Sequence, residues 1–362
     1  MTTSRRRQPG SRTAAPAYVR ALVAAGVCLA ATPAAAQQAT PSVVAIDTIA
    51  ALDTAVDDAG NATTGVTLDA VMTVGLGRNL EVMVRPLVQR LGTGEWNRQI
   101  WVAALRWERP GDVAIRIDGG LIPSPVGAAN LLLRPQLNPT ISLPSSLFVR
   151  VPLDTLSPRP TVLGAIYPFG VNVTVSGRHW DARAAVMETS PLRPRRIFYQ
   201  EGTNPPRFTN VVAGGGVTPF VGFRIGGSVT HGGWLEAGES PAVTTDRQAT
   251  VVTVESEFSA RYTRIAAEWV RDIVEAVDGD THLSGWFVQA QQTLTPRWFA
   301  AGRIERIDTH VQSDFGGFEE IVGYRVTPEI TVRGGHRARR LFGRPDYAHQ
   351  AQVSIVWWRR WF

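Results

Sequence analysis

Three groups of residues in this chain have types and spacings suited to chemistry. Asp278-Gly-Asp280-Thr-His282 brings two carboxylates and an imidazole into five residues, a pattern that suits a hard cation, although a polar turn has the same composition. His282 and Ser284 fall on one face of an extended run, as a base and nucleophile do, but no third group is placed to orient the histidine. The largest group is a set of arginines and carboxylates recurring at alternate positions along many short runs. No H-E-x-x-H, G-x-S-x-G, Walker loop or Cys/His zinc spacing is present. The six histidines (His179, His231, His282, His310, His336 and His349) stand mostly near the ends of runs, where solvated side chains collect. The expectation is a protein with no metal, no cofactor and no catalytic centre, whose working groups are its charges.

The runs that carry these charges alternate with period two. Val252, Val254 and Phe258 oppose Thr253, Glu255 and Glu257, while Ile265 and Trp269 oppose Arg264, Glu268 and Asp272. Ala300 and Ile304 oppose Arg303 and Glu305; Val82 and Val84 oppose Glu81 and Arg85. Strands with one apolar environment and one polar one have this signature. Taking the polar face of each strand places Glu81, Arg85, Arg98, Arg106, Arg116, Asp181, Arg183, Arg224, Glu255, Glu257, Arg264, Glu268, Arg303, Glu305 and Arg333 on one shared surface. Basic and acidic groups are nearly balanced there, which predicts opposed ladders and little overall bias.

The formal net charge of +6 is misleading about partners. Five of the 37 basic residues, all arginine, lie in the first 36 residues with no acid beside them, leaving 32 against 31 in the remainder. A nucleic-acid footprint is therefore unsupported. The same 36 residues read as a cleaved export signal: a basic start, the apolar stretch ALVAAGVCLAAT, and small residues at Ala34-Ala35-Ala36. Cys28, the one cysteine, leaves with that signal. Residues 37–362 then form the mature protein. No apolar run reaches 18 residues, so any membrane crossing is by strands.

Fifteen alternating segments are clear between residues 66 and 361. Short joints, including the repeated VTPFVGFRIGG, LTPRWFAAGRI and VTPEITVRGGH around Pro219, Pro296 and Pro328, separate pairs of them. Longer connections alternate with these joints. An up-and-down antiparallel meander with unequal ends is the organisation of a transmembrane β-barrel. Parity requires an even number of strands, which assigns the weakly alternating residues 42–53 as the first of sixteen; without it the count is fourteen. Trp101, Trp107, Trp180, Trp269, Trp286, Trp298, Trp357, Trp358 and Trp361 lie in or beside strands, as interfacial girdle residues do.

The last segment, QAQVSIVWWRRWF, ends on the aromatic Phe362, with Val356 and Trp358 at alternate positions before it and Arg360 interrupting the series. With the export signal, this resembles the Gram-negative outer-membrane porins, similar in strand count to the sixteen-stranded general and phosphate-selective types. The resemblance implies residence in outer-membrane lipid, recognition of Phe362 by the outer-membrane assembly machinery, possible homotrimers, and passage of small hydrophilic solutes or ions. Other function classes compatible with the sequence are a plugged structural or adhesion barrel and a secreted soluble all-β carbohydrate-binding protein. Residues 119–163 form the longest connection, with eight prolines and many leucines. Sixteen-stranded porins often fold one long loop into the lumen, so this segment is the candidate constriction, with Arg134 and Arg150 as its charged contributors.

Overall fold

The computed structural model describes residues 44–92, 94–153, 159–164, 167–193, 209–239, 241–309 and 314–361. The proposed signal at 1–36, His310 and the terminal Phe362 lie outside them. Sixteen strands run in chain order: β1 Val44–Asp57, β2 Ala62–Gly75, β3 Leu80–Leu91, β4 Asn97–Arg109, β5 Ala114–Leu121, β6 Phe169–Ser176, β7 Trp180–Met187 and β8 Asn210–Phe220. They continue as β9 Phe223–Leu235, β10 Arg247–Ala260, β11 Thr263–Ala276, β12 Gly279–Thr293, β13 Trp298–Thr309, β14 Phe315–Arg325, β15 Ile330–Arg340 and β16 Ala348–Trp361. Each strand pairs antiparallel with its sequence neighbours, and β1 pairs with β16, from Ile46 opposite Trp361 to Asp57 opposite Gln350. The sheet is thus a closed transmembrane up-and-down barrel, which leaves no strand edge unpaired. No helix among the described residues is long and apolar enough to cross a membrane.

The weak first strand is present and longer than expected, because its alternation continues through Leu52, Thr54 and Val56 on the outer face. β1 begins and β16 finishes at one end of the barrel, here the terminal end. The seven connections at that end contain two to four residues each. Two connections at the opposite, loop end are also tight, at 58–61 and 277–278, where longer ones were expected. Pro296 and Pro328 sit in terminal-end turns, whereas Pro219 lies within β8 at a register shift and the turn itself is Val221-Gly222. Gly222 has φ of +90°, and a Cβ there would sit 2.2 Å from the Ser259 carbonyl oxygen, so the turn requires glycine.

The outer face carries exposed Leu52, Leu68, Val171, Val229, Val254, Ile304, Val322 and Ile355. At its terminal end Trp298 packs on Tyr324 at 4.7 Å between ring centres and Phe220 on Phe223 at 5.3 Å, as an interfacial girdle does. An exposed apolar wall closed into a barrel needs lipid around it, which excludes the soluble carbohydrate-binding reading.

The largest apolar cluster lies inside the barrel. Ile122, Val126, Ala129, Leu132, Leu133, Leu147, Val151, Leu153, Val162 and Leu163 of the long β5–β6 connection are buried against wall residues that include Val102, Met187, Val251, Val270, Leu283, Phe287 and Phe315. The connection folds inward because its leucines find there a dry apolar surface.

Candidate functional site

The inserted segment cannot form sheet, since its prolines remove N–H groups and fix φ. Its remaining backbone groups nevertheless enter a buried environment and need partners. Charged side chains on the wall supply them. Glu268 of β11 accepts hydrogen bonds from the backbone N–H of Ala128 and of Ala129, the latter at 2.9 Å, at the start of a 3₁₀ turn spanning Ala129–Leu133. Glu319 of β14 accepts from the N–H groups of Ile141 and Ser142 at 2.9 and 3.0 Å and from the Ser142 hydroxyl. Glu305 of β13 accepts from the Ser145 N–H at 2.8 Å and its hydroxyl at 2.7 Å. The carbonyls go to arginines: Arg303 donates to Ser142 and Leu143 oxygens at 2.9 and 3.0 Å, and Arg333 to those of Asn138 and Thr140 at 2.6 and 2.7 Å.

Arg85 and Asp69 form a second dry anchor. The guanidinium meets both carboxylate oxygens, donates to the Tyr167 hydroxyl at 2.5 Å, and stacks over the Trp101 ring at 4.8 Å. Trp101 therefore faces the lumen and is not a girdle residue. The cause is a bulge: Arg85 lies opposite Val102 and Pro86 opposite Ile100, leaving Trp101 as the extra residue. Beyond the bulge the faces of β4 exchange, so Arg98, opposite outward Val88, lies exposed on the outer surface. This corrects its assignment to the lumen wall. Trp358 is likewise inward, packed with Ile49 and Val356, while Trp357 keeps the outer position.

The other expected charges lie on the inner face, where the arginines remain partly open while Glu255 and Asp118 are buried. Arg106 and Arg116 both meet Asp118, at 2.7 and 3.2 Å. Arg224 bridges Asp181 at 2.9 Å and Glu255 at 2.7 Å, Arg183 approaches Glu255 at 3.4 Å, and Arg264 pairs with Glu257 at 2.9 Å. These groups line one cavity of about 430 Å³ bounded on its other side by the inserted segment. Glu81 is on the same face of β3, opposite Arg106. A separate cavity of about 300 Å³ lies among Pro135 to Pro139, Arg264, Arg325, Arg333 and Trp358.

Within the inserted segment, Arg134 is half-buried, and burial, then the nearby Arg85, pushes its guanidinium below the usual arginine range. Arg150 is exposed on a stretch bridged to Thr161 and lines neither cavity. The expected pair is therefore not brought together. Glu319 and Arg337 join the wall in addition to the expected residues; Arg337 stands 3.6 Å from Glu305. Each sat at an inner position of an alternating run, but alternation alone does not distinguish an anchor from an open group. His282 and Ser284 alternate with buried Leu283 and Gly285 on the outer side of β12, away from the lumen. Among the described residues no group of three metal-ligating side chains gathers.

The closed sixteen-stranded barrel is a fold shared with outer-membrane porins. The anion-selective porin from Comamonas acidovorans superposes with a TM-score of 0.60 at 10% identity, covering 88% of this chain and all of that one. OmpF of Salmonella typhi, solved with daunomycin, gives 0.59 at 10% identity over 88% of this chain and 97% of its own. The trimer form of OmpT from Vibrio cholerae gives 0.58 at 10% identity over 88% and 100%. No protein family matches the chain, and no curated protein matches it in sequence.

Proposed function

We propose that the chain is a passive outer-membrane channel for small hydrophilic solutes and ions, with its path along the wall from β4 to Arg264 of β11. The carrying observation is that the inserted segment leaves this charged wall uncovered: the side chains of Arg116, Glu257 and Arg264 are about 40% exposed to the lumen. Opposed charges of this kind keep a lumen hydrated and select ions through the local field. Five arginines face four carboxylates in the cavity lining, which supports a slight preference for anions. Export through a signal at 1–36 and recognition of Phe362 by the assembly machinery belong to the same reading.

The apolar core at the loop end favours a second reading, a plugged structural barrel. Planar-bilayer recording on refolded protein separates them. Stable steps of conductance, with a reversal potential displaced slightly toward the anion in a salt gradient, support the channel; a correctly refolded barrel without steps sinks it.

Self-association is also part of the proposal. Glu320 lies on the outer face between Gly302 and His336, four pairs above the Trp298–Tyr324 girdle, with a 72% exposed side chain. His336 stands 3.6 Å from it and meets His349 at 3.0 Å. Ionisable groups at that depth are costly against acyl chains, so a second copy is the fitting cover. Glu320→Leu should then lower the oligomer fraction in native gels, and an unchanged fraction would place the contact elsewhere.

A further inference from the structure

The open cavity has two chemically unlike sides. The inserted stretch Ile122–Leu153 contains no Asp or Glu, and its two arginines, Arg134 and Arg150, do not line this cavity, so what it presents to the charged wall there is neutral. Its contribution to the lining includes Pro123, Pro125 and Leu131, joined by Phe287 from the wall. Leu131 is 60% exposed while Leu132 and Leu133 beside it are buried. The 3₁₀ turn holding it is fixed by Glu268 on Ala128 and Ala129, so an apolar side chain is held out into the lumen by a dry anchor.

Across from it the arginines are unequally paired. Arg224 is shared by two carboxylates and Arg264 has Glu257, but Arg106 and Arg116 share the single, buried Asp118. The Arg116 Nε is the atom that meets Asp118, at 3.2 Å, while 41% of the Arg116 side chain is exposed. Glu81 and Glu108 stand across the sheet from Arg106 and Arg116, yet the ion pairs of both arginines go to Asp118, so their terminal guanidinium N–H groups are left for the cavity, and the planar fork of arginine matches a carboxylate in two-point contact. The cavity volume of about 430 Å³ falls within the ordinary range for small-molecule sites.

We propose that this cavity is a binding station for small organic anions in which a carboxylate is joined to an apolar body. The carboxylate meets Arg106 and Arg116, and the apolar body covers Leu131 and its proline neighbours. This assignment rests on the channel reading for its access route, and it gives that channel a preferred class of solute.

Isothermal titration of the detergent-solubilised barrel tests it with three probes. Sodium benzoate should bind saturably, and sodium acetate and benzyl alcohol should each bind about tenfold more weakly, since each lacks one half of the recognition. Arg116→Gln should weaken benzoate about tenfold. Leu131→Ser, on an exposed position that does not threaten folding, should weaken benzoate about fivefold and leave acetate unmoved. Absence of benzoate binding overturns the proposal. Equal binding of benzoate and acetate overturns it in favour of a simple anion site, and equal binding of benzoate and benzyl alcohol in favour of an apolar pocket. Titration needs no current, so benzoate bound by a barrel that does not conduct sinks the channel and keeps the site. Conductance without benzoate discrimination does the reverse.

Discussion

On the inner face of β13–β15, Arg303, Glu305, Glu319 and Arg333 are dry and their hydrogen bonds run largely to the backbone of the inserted segment. From β4 round to Arg264 of β11, the same residue types are paired mainly with one another and several stand half-exposed. The difference follows from what lies opposite. A proline-rich chain brought into a barrel carries polar backbone groups that water no longer reaches, so the wall beneath it must supply donors and acceptors in matched positions. Where the segment does not lie, charges answer to solvent, and cross-strand pairing is enough. A ladder of charges inside a barrel is therefore two devices, one mechanical and one exposed to whatever passes.

The largest effect that would break this comparison comes from Arg303→Met. The Arg303 side chain is 1% exposed and pairs with Glu319 at 3.0 Å, so the substitution strands a buried carboxylate and unbinds the Ser142 and Leu143 carbonyls. Loss of one partner from a buried pair costs about 3–5 kcal/mol. Thermal conversion from the compact to the unfolded gel band should occur at clearly lower temperature, and single-channel current should become noisier as the segment loosens. Wild-type stability in this variant would mean that packing alone holds the segment.

Arg224→Met makes the matching change on the open wall. Its side chain is 31% exposed and Arg183 remains beside Glu255, so the expected cost is about 1 kcal/mol or less. The visible change should be in selectivity, with the reversal potential moving toward cations. A stability loss equal to that of Arg303→Met would erase the distinction between the walls. Glu257→Gln, at a pair where both side chains are more than 40% exposed, should cost less again and move the reversal potential toward anions.

Alternation made much of the barrel legible, because a wall between lipid and lumen imposes period two on every strand. The faces of β10, β11 and β13 follow directly from Val254 against Glu255, Trp269 against Glu268, and Ile304 against Glu305. Parity carried β1, whose small residues blur the pattern. Less legible was the destination of each charge. Glu255 and Glu305 occupy equivalent positions in equivalent strands, yet Glu255 meets arginines alone while Glu305 also takes the Ser145 N–H and hydroxyl of the inserted segment. That assignment depends on the path of residues 122–163, and proline-rich coil has no period from which a path can be read.

The smallest predicted effect tests the one place where alternation misled. Arg98 and Arg106 are eight residues apart on β4, and strict period two puts both in the lumen. The bulge that inserts Trp101 opposite the Arg85–Pro86 step leaves Arg106 inward beside Asp118 and turns Arg98 outward beside Val88. Pro86 suits that step because a bulge leaves a ladder hydrogen bond unmade, and proline has no N–H to lose. Arg98→Gln should then change stability by no more than about 0.5 kcal/mol and leave the reversal potential where it is. Arg106→Gln should move the reversal potential toward cations. If both variants shift it equally in a salt gradient, β4 has no exchange of faces, Trp101 returns to the outer wall, and the stack of Trp101 on Arg85 loses its geometric basis.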